Sequence, residues 1–155
     1  MAIGEVAFLA DRVRAQDRLH KRVSRRNNPP SLDAIRQAEY IAWVKGANGS
    51  MLAVSKGYTA LTGIAAQDYE GSDDVDMWGD DGERFLLDDE YVRNTGYPLV
   101  DVEQAWWSAK DQTYMAGLVT IVPYPLGTKI GTLGRLPRDT VRIVEPEEYK
   151  RIIGV

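Results

Sequence analysis

The sequence predicts an α+β fold: a five-stranded antiparallel sheet with helices on one face, preceded by a long N-terminal helix. Three observations lead to this fold class. Two short apolar runs flank Asn48-Gly49, which favours a tight β-hairpin because both turn residues tolerate positive φ. From residue 40 onward, the predicted elements follow the order β-β-α-α-α-β-β-β. Two prolines within residues 27–30 separate this domain from the helix before it.

Residues 1–28 are predicted to form one basic helix. After Gly4 they contain no glycine or proline, and they are rich in residues that favour helices. Val6, Leu9 and Val13 begin an imperfect apolar stripe, which we expect to contribute to a homodimer interface. The main domain is placed at residues 29–136, and a C-terminal extension covers residues 137–155.

The first half of the main domain alternates short strands and short helices. Ser31 is predicted to cap a helix that ends near residue 38, and strands follow at about 40–45 and 51–55. A short helix is expected at 56–62, where Tyr58 and Leu61 share one face and Gly63 supplies a left-handed C-cap. Residues 65–81 are predicted to be irregular with short helical turns, and a longer helix is expected from about 82 to 95.

The second half of the main domain is predicted to be mostly strand. Residues 99–108 alternate so that Val100, Val102 and Trp106 share one face. Turns are expected at 110–112 and 123–127, on either side of a β-rich run at 114–122, and the last strand of the sheet is expected at 129–136. The C-terminal extension is predicted to add a strand at 140–144 and a short helix at 146–153.

Four segments, taken in order, resemble the PAS family over residues 32–136. Residues 40–63 (YIAWVKGANGSMLAVSKGYTALTG) have the family's opening order of strand, tight turn, strand, short helix and Gly. Three later segments also resemble family patterns: AAQDYEGSDDVDMW from residue 65, DDEYVRNTGYP ending at Pro98, and YPLGTKIGTLG from residue 124. The Asp-Ile-Thr signature that often follows the final PAS strand is absent, which argues against conventional C-terminal signalling.

The resemblance implies a sensing or coupling module with a pocket between the sheet and its helices, and not an enzyme. The predicted pocket residues are Tyr58, Trp78, Phe85 and Trp106, whose rings would form the wall for a flat small organic ligand. Packing of these large aromatics into a closed core is the alternative. Neighbouring residues of a strand point to opposite faces, so Trp107 is predicted on the outer face, covered by the N-terminal helix or by a second subunit.

The residue inventory excludes several kinds of site. The chain has no cysteine, which excludes disulfides, zinc-thiolate sites and the cysteine-linked flavin form of PAS domain. Its one histidine, His20, lies outside the PAS-like segment and argues against a His-ligated haem. The acidic run around Asp74 fails the calcium-loop pattern because Trp78 and Phe85 stand where oxygen ligands are needed. We therefore predict a solvated acidic loop, no metal site and no resident cofactor.

Charge is distributed unevenly along the chain. The net charge of −4 divides into +4 for residues 1–28 and −8 for residues 29–155. The basic helix could contact nucleic-acid phosphates through Arg18, Arg22, Arg25 and Arg26, and this gives the alternative function of a nucleic-acid-associated adaptor. The other interpretation is a dimerisation helix whose charged face is solvated.

The function expected from the sequence is a small homodimeric sensory or protein-interaction module. No apolar run approaches the roughly 18 to 20 residues that cross a bilayer, and we expect a cytoplasmic protein without a membrane partner. A downstream signalling protein is the expected further partner. A small bacterial or phage-encoded regulator would fit these features.

Overall fold

The computed structural model describes residues 29–155. The predicted N-terminal helix lies outside the described residues. Within residues 29–155 the chain forms six α-helices, six β-strands and one short 3-10 helix, Arg138–Thr140. The helices are α1 (Leu32–Gln37), α2 (Lys56–Thr62), α3 (Ala66–Tyr69), α4 (Asp74–Trp78), α5 (Asp80–Thr95) and α6 (Pro146–Ile153). The strands are β1 (Ile41–Lys45), β2 (Met51–Val54), β3 (Leu99–Ser108), β4 (Thr113–Leu126), β5 (Lys129–Leu136) and β6 (Arg142–Val144).

The sheet is antiparallel throughout, with the strand order β2-β1-β5-β4-β3. The predicted five strands are therefore present, and β6 adds a sixth. β6 pairs with residues 114–116 of β4, on the edge opposite β3, while β5 pairs with residues 120–126 along that same edge. The strand and helix predicted for the C-terminal extension are confirmed as β6 and α6.

The β1–β2 hairpin forms where Asn48-Gly49 predicts it, but its turn is longer than the expected two-residue type. Only Gly49 has a positive φ, at 86°. Its N–H donates to the Gly46 carbonyl at 3.0 Å, and the Asn48 side chain accepts from the Ser50 N–H at 3.0 Å. This side-chain hydrogen bond stabilises a loop in which Asn48 keeps a negative φ. The longer loop accompanies a register shift between Val44 and Lys45.

The helices lie on both faces of the sheet, whereas the sequence predicted one. Helices α2 to α5 cover the inner face, to which Tyr58, Tyr69 and Val92 contribute buried side chains. On the outer face, α1 packs through the fully buried Ile35 against β1 and β2, and α6 packs over β3 and β4 beside Ala105. Because α1 covers the outer face of β1, the residues Ala42 and Val44 on that face are buried and apolar, like Ile41 and Trp43 on the inner face.

Helix α5 begins two residues before the predicted start at Gly82. A Cβ atom at position 82 would lie 2.1 Å from the backbone oxygen of Asp74. Gly82 lies in the first turn of the helix, and its missing side chain lets α4 and α5 approach closely. The fourteen residues of β4 also run through the turn predicted at 123–127, so that the real turn begins at Gly127.

Two local features explain why the sequence-based predictions for β3 and β4 were partly wrong. β3 begins at Leu99, opposite Ile121, so among residues 29–155 the part of β4 beyond Ile121 pairs only with β5. Pro123 and Pro125 are tolerated there because the other edge of β4 needs no N–H donor. In β3, Asp101 has φ 52° and the pairing shifts between Leu99 and Val102. This irregularity removes Val100 from the inner face predicted for it, and its side chain is 40% exposed.

Candidate ligand pocket

A cavity of about 50 Å³ lies between the inner face of the sheet and helices α2, α4 and α5. Strands β1, β4 and β5 contribute aliphatic side chains to its floor. Five of its lining side chains are aromatic: Trp43, Tyr58, Trp78, Phe85 and Trp106. The cavity is small beside the roughly 300–1,000 Å³ typical of drug-sized ligands, so it suits a molecule of few heavy atoms.

All four residues predicted to form a pocket line this cavity. Tyr58 packs edge-on against Trp43, with ring centroids 5.6 Å apart, and Trp78 packs edge-on against Phe85 at 6.2 Å. Trp106 enters the core from β3. The structure therefore places these side chains together, and their ligand-binding role stays a prediction.

One end of the cavity is polar because a lysine occupies a core-facing position of β1. Ile41, Trp43 and Lys45 alternate along this strand and all three line the cavity. The Lys45 side chain is only 3% exposed. A lysine buried to this extent requires nearby groups that compensate its charge.

Two carboxylates supply that compensation. The Lys45 ammonium donates to Asp74, the first residue of α4, and to Asp89, in the middle of α5. Both carboxylates are almost completely buried. The three residues, which we term the buried charge cluster, therefore join one strand and two helices across the end of the cavity.

The two carboxylates differ in how fully they are hydrogen-bonded. Asp74 uses its second oxygen to accept from the Tyr69 hydroxyl, which itself accepts from Trp78 Nε1 at 2.8 Å. Within residues 29–155, the second oxygen of Asp89, Oδ1, accepts only from the Thr132 hydroxyl, at the long distance of 3.4 Å. Asp89 Oδ1 therefore keeps spare acceptor capacity.

Burial and charge act in opposite directions on the pKa values of this cluster. Burial lowers the pKa of Lys45, but Asp89 and Asp74 outweigh it and raise that pKa above its ordinary value. Burial raises the pKa of Asp89, and the attraction of Lys45 offsets this only in part. Burial also raises the pKa of Tyr58 and of Tyr69, so both phenols remain neutral.

The sequence did not predict this cluster. Asp74 belongs to the acidic run that was interpreted as a solvated loop, and for Asp74 that interpretation is wrong. Asp89 lies in the helix that was predicted from about residue 82 to 95, where nothing in the sequence marked it as buried. Other members do have local roles: Asp73 and Asp76 form a reciprocal capping box at the start of α4. In residues 29–155, no three His, Asp or Glu side chains are grouped so that they could hold a metal ion. The sequence feature that could have indicated the cluster is Lys45, which falls on the same face of β1 as the core-facing residues Ile41 and Trp43.

A second polar junction, centred on Asp81, attaches α6 to the edge of β3. The Asp81 carboxylate accepts from the Trp107 N–H at 2.9 Å, from the Tyr149 hydroxyl at 2.5 Å and from Arg84. Tyr149 also stacks on Tyr114, with ring centroids 4.1 Å apart. Helix α6 therefore occupies part of the outer face that was expected to be covered by the N-terminal helix or a second subunit.

Trp107 lies on the outer face, as the alternation with Trp106 predicted, and its side chain is 41% exposed. The remaining residues predicted for dimerisation and nucleic-acid binding lie outside the described residues; they are Val6, Leu9, Val13, Arg18, Arg22, Arg25 and Arg26. None of the helices formed by residues 29–155 has the length and apolar character needed to span a membrane.

No protein-family model matches the sequence, and no curated protein sequence is significantly similar to it. Solved structures are similar in fold. A structure of VqmA bound to DPO is 19% identical, with a TM-score of 0.58, over 75% of this chain and 66% of that one. The Vibrio cholerae VqmA dimer, solved in the absence of target DNA, is 19% identical, with a TM-score of 0.59, over 82% of this chain and 75% of that one.

An isolated PAS domain from Colwellia psychrerythraea gives a similar result. It is 18% identical, with a TM-score of 0.53, and the match covers 72% of this chain and 92% of that domain. Because the match covers nearly the whole of an isolated PAS domain, the fold that the two chains share is the fold of that domain. The six-stranded antiparallel sheet, with its helices α2 to α5 over the inner cavity, is that of a PAS-like domain.

Proposed function

We propose that this chain is a non-catalytic sensory PAS module whose inner cavity binds a small organic ligand. The observation that carries the proposal is the cavity itself, in which aromatic walls meet the buried charge cluster. Apolar walls with a few fixed polar groups are typical of small-molecule sites. If this part of the core had only a structural role, we would expect apolar side chains there, because burying charged groups costs free energy.

The similarity to VqmA is consistent with this proposal. One of the similar VqmA structures contains DPO. At 19% identity the likeness concerns the fold, so the identity of any ligand of this chain is a separate question.

The proposal is tested by a thermal-shift screen of the full chain against organic molecules of few heavy atoms, as the size of the cavity requires. Two tryptophans that are neighbours in β3 provide a matched pair. We expect binding molecules to raise the Tm of the wild type and of Trp107→Leu, but not that of Trp106→Leu, which loses a cavity wall. No stabilising molecule, or equal stabilisation of both variants, would contradict the proposal. Native mass spectrometry of the purified chain provides a second search for a bound molecule.

We also include homodimerisation and a cytoplasmic location in this proposal. Trp107 remains partly exposed beside α6 in the described monomer, which leaves apolar surface for a second subunit. The similar VqmA of Vibrio cholerae is described as a dimer.

A second candidate function, nucleic-acid binding, is favoured by the basic character of residues 1–28 and by the target DNA of the similar VqmA. In this case, binding would weaken steeply with salt because phosphate contacts release counterions. We expect the affinity to be lost on deletion of residues 1–28, and the salt dependence to be shallower when Arg18, Arg22, Arg25 and Arg26 are replaced by Gln. Absence of binding at low salt would exclude this function.

A further inference from the structure

The polar end of the cavity contains more negative than positive charge. Two carboxylates, Asp74 and Asp89, line the cavity, and Lys45 is the one cationic side chain among the lining residues of the described chain. Arg93 also attracts Asp89 from the next turn of α5, but it does not line the cavity. Because all three clustered side chains are at most 3% exposed, water cannot compensate the excess negative charge effectively.

Within this cluster, Asp89 Oδ1 is the acceptor available to a ligand. Both oxygens of Asp74 and the other oxygen of Asp89 already accept from Tyr69 or Lys45. The hydroxyl of Thr132 is 3.4 Å from Asp89 Oδ1, which leaves room for a stronger donor. Gln104, which also lines the cavity, donates one of its two amide N–H groups to Asp88 at 3.0 Å.

The wall of the cavity also favours positive charge. The faces of aromatic rings attract cations, and indole rings do so most strongly. Three of the five wall residues are tryptophans: Trp43, Trp78 and Trp106. A planar cation can contact such a wall while its N–H group reaches a carboxylate at the edge.

We infer that the ligand of this cavity is a small, flat organic cation, such as an amidinium or a protonated heteroaromatic amine, whose N–H donates to Asp89 Oδ1. This inference rests on the proposed ligand-binding function. An anion of the same shape is repelled by Asp74 and Asp89. A neutral molecule of the same shape can make the hydrogen bond but brings no positive charge to the two carboxylates that line the cavity.

Three probes of nearly identical shape test the inference: acetamidinium, acetamide and acetate, which carry one positive charge, no charge and one negative charge. Each is titrated into the full chain while the indole N–H signals of its tryptophans are followed by NMR. We expect acetamidinium to bind about tenfold more tightly than acetamide, since charge-assisted hydrogen bonds are roughly twice as strong as neutral ones. Acetate should leave the signals unchanged. Equal or tighter binding of acetamide, or any preference for acetate, would overturn the inference.

Two carboxylate-to-amide variants in α5 locate the effect. Asp89→Asn should remove the preference for acetamidinium over acetamide, whereas Glu90→Gln, at the adjacent exposed position, should keep it. If Asp89→Asn does not fold, the wild-type series still decides the question. If acetamide binds more tightly than acetamidinium, the inference of a cationic ligand is refuted, but the proposed ligand-binding function is not. If none of the three probes binds and the thermal-shift screen finds no ligand, both the inference and the proposed function are refuted.

Discussion

At the scale of single residues, Lys45 is the side chain whose replacement should be most informative. Its ammonium holds two buried carboxylates that come from different helices. Lys45→Met keeps a side chain of similar length and removes its charge, so that Asp74 and Asp89 lose the ammonium that donates to both of them. Removing one partner of a buried ion pair typically costs about 3–5 kcal/mol. We expect a loss of this order in the free energy of unfolding, measured by urea denaturation at pH 7.

A matched control for this prediction is Lys56→Met, which changes an exposed lysine at the start of α2. Exposed substitutions usually change stability by no more than about 0.5 kcal/mol. If Lys45→Met unfolded at the same urea concentration as Lys56→Met, the buried charge cluster would not stabilise the fold.

The two halves of the candidate site differed in how well the sequence predicted them. The aromatic half was predictable because large rings at Tyr58, Phe85 and Trp106 fall on the inner faces of their elements. The charged half was not, since Asp74 and Asp89 lie in a segment whose composition resembles a solvated surface. Their burial depends on Lys45, which is distant in sequence and meets them only in the folded chain.

At the scale of elements, the close contact between α4 and α5 requires a glycine at position 82, where helix propensity alone would favour alanine. Alanine favours a helix interior over glycine by about 1 kcal/mol, so propensity alone predicts that Gly82→Ala is stabilising. A Cβ at this position would, however, lie 2.1 Å from the backbone oxygen of Asp74. We expect Gly82→Ala to destabilise the protein by roughly 1–3 kcal/mol in urea denaturation, as overpacking does. Glu83→Ala, at an exposed position of the same helix, should have little effect, and a stabilised Gly82→Ala would disprove the close contact.

Helix α6 should give the protein a pH-dependent contribution to stability. Hydrogen bonds from Arg151 and Arg142 lower the pKa of Glu148 from its ordinary value to about 2. A group with a lowered pKa in the folded state stabilises at pH values above its unfolded pKa, and this stabilisation is lost as the pH falls toward the folded pKa. We therefore expect Glu148→Gln to be less stable than the wild type at pH 6, with a difference that shrinks between about pH 4.5 and 2 in denaturation experiments.

The control for this pH dependence lies one residue earlier in α6. Glu147 is far more exposed and pairs with Lys150 at 3.5 Å, so Glu147→Gln should produce a smaller difference from the wild type at pH 6. High salt should reduce the effect of Glu148→Gln because the network is partly exposed. A Glu148→Gln difference that stayed constant from pH 6 to 3 would contradict the assigned role of Glu148.

The elements that the sequence predicted correctly are those specified by neighbouring residues. The β1–β2 hairpin, the C-cap of α2 at Gly63 and the end of α5 at Gly96 all depend on local turn chemistry. The errors arose where pairing with strands distant in the sequence determines the structure. Pro123 and Pro125 look like turn residues in sequence, yet β4 continues through them because, among residues 29–155, no strand pairs there with the edge of β4 opposite β5.

At the scale of the whole molecule, the outer face of the sheet is covered unevenly. Helix α1 covers its β1–β2 end, and α6 covers part of its β3–β4 end. Trp107 lies beside α6, where its ring meets Tyr114 edge-on at 5.0 Å and remains 41% exposed. An exposed tryptophan on a sheet face is a common anchor of protein interfaces, and this position is therefore where we expect the second subunit.

The oligomeric state of the full chain provides the last prediction. We expect a dimer by size-exclusion chromatography with light scattering, and we expect Trp107→Lys to shift the equilibrium toward monomer by at least about tenfold, since loss of a buried aromatic anchor commonly costs 2 kcal/mol or more. Val75→Lys is the control, because Val75 has similar exposure at 39% but lies in α4, over the inner face. If both variants remained dimeric, residues other than Trp107 would have to form the interface, and a monomeric wild type would exclude the dimer altogether.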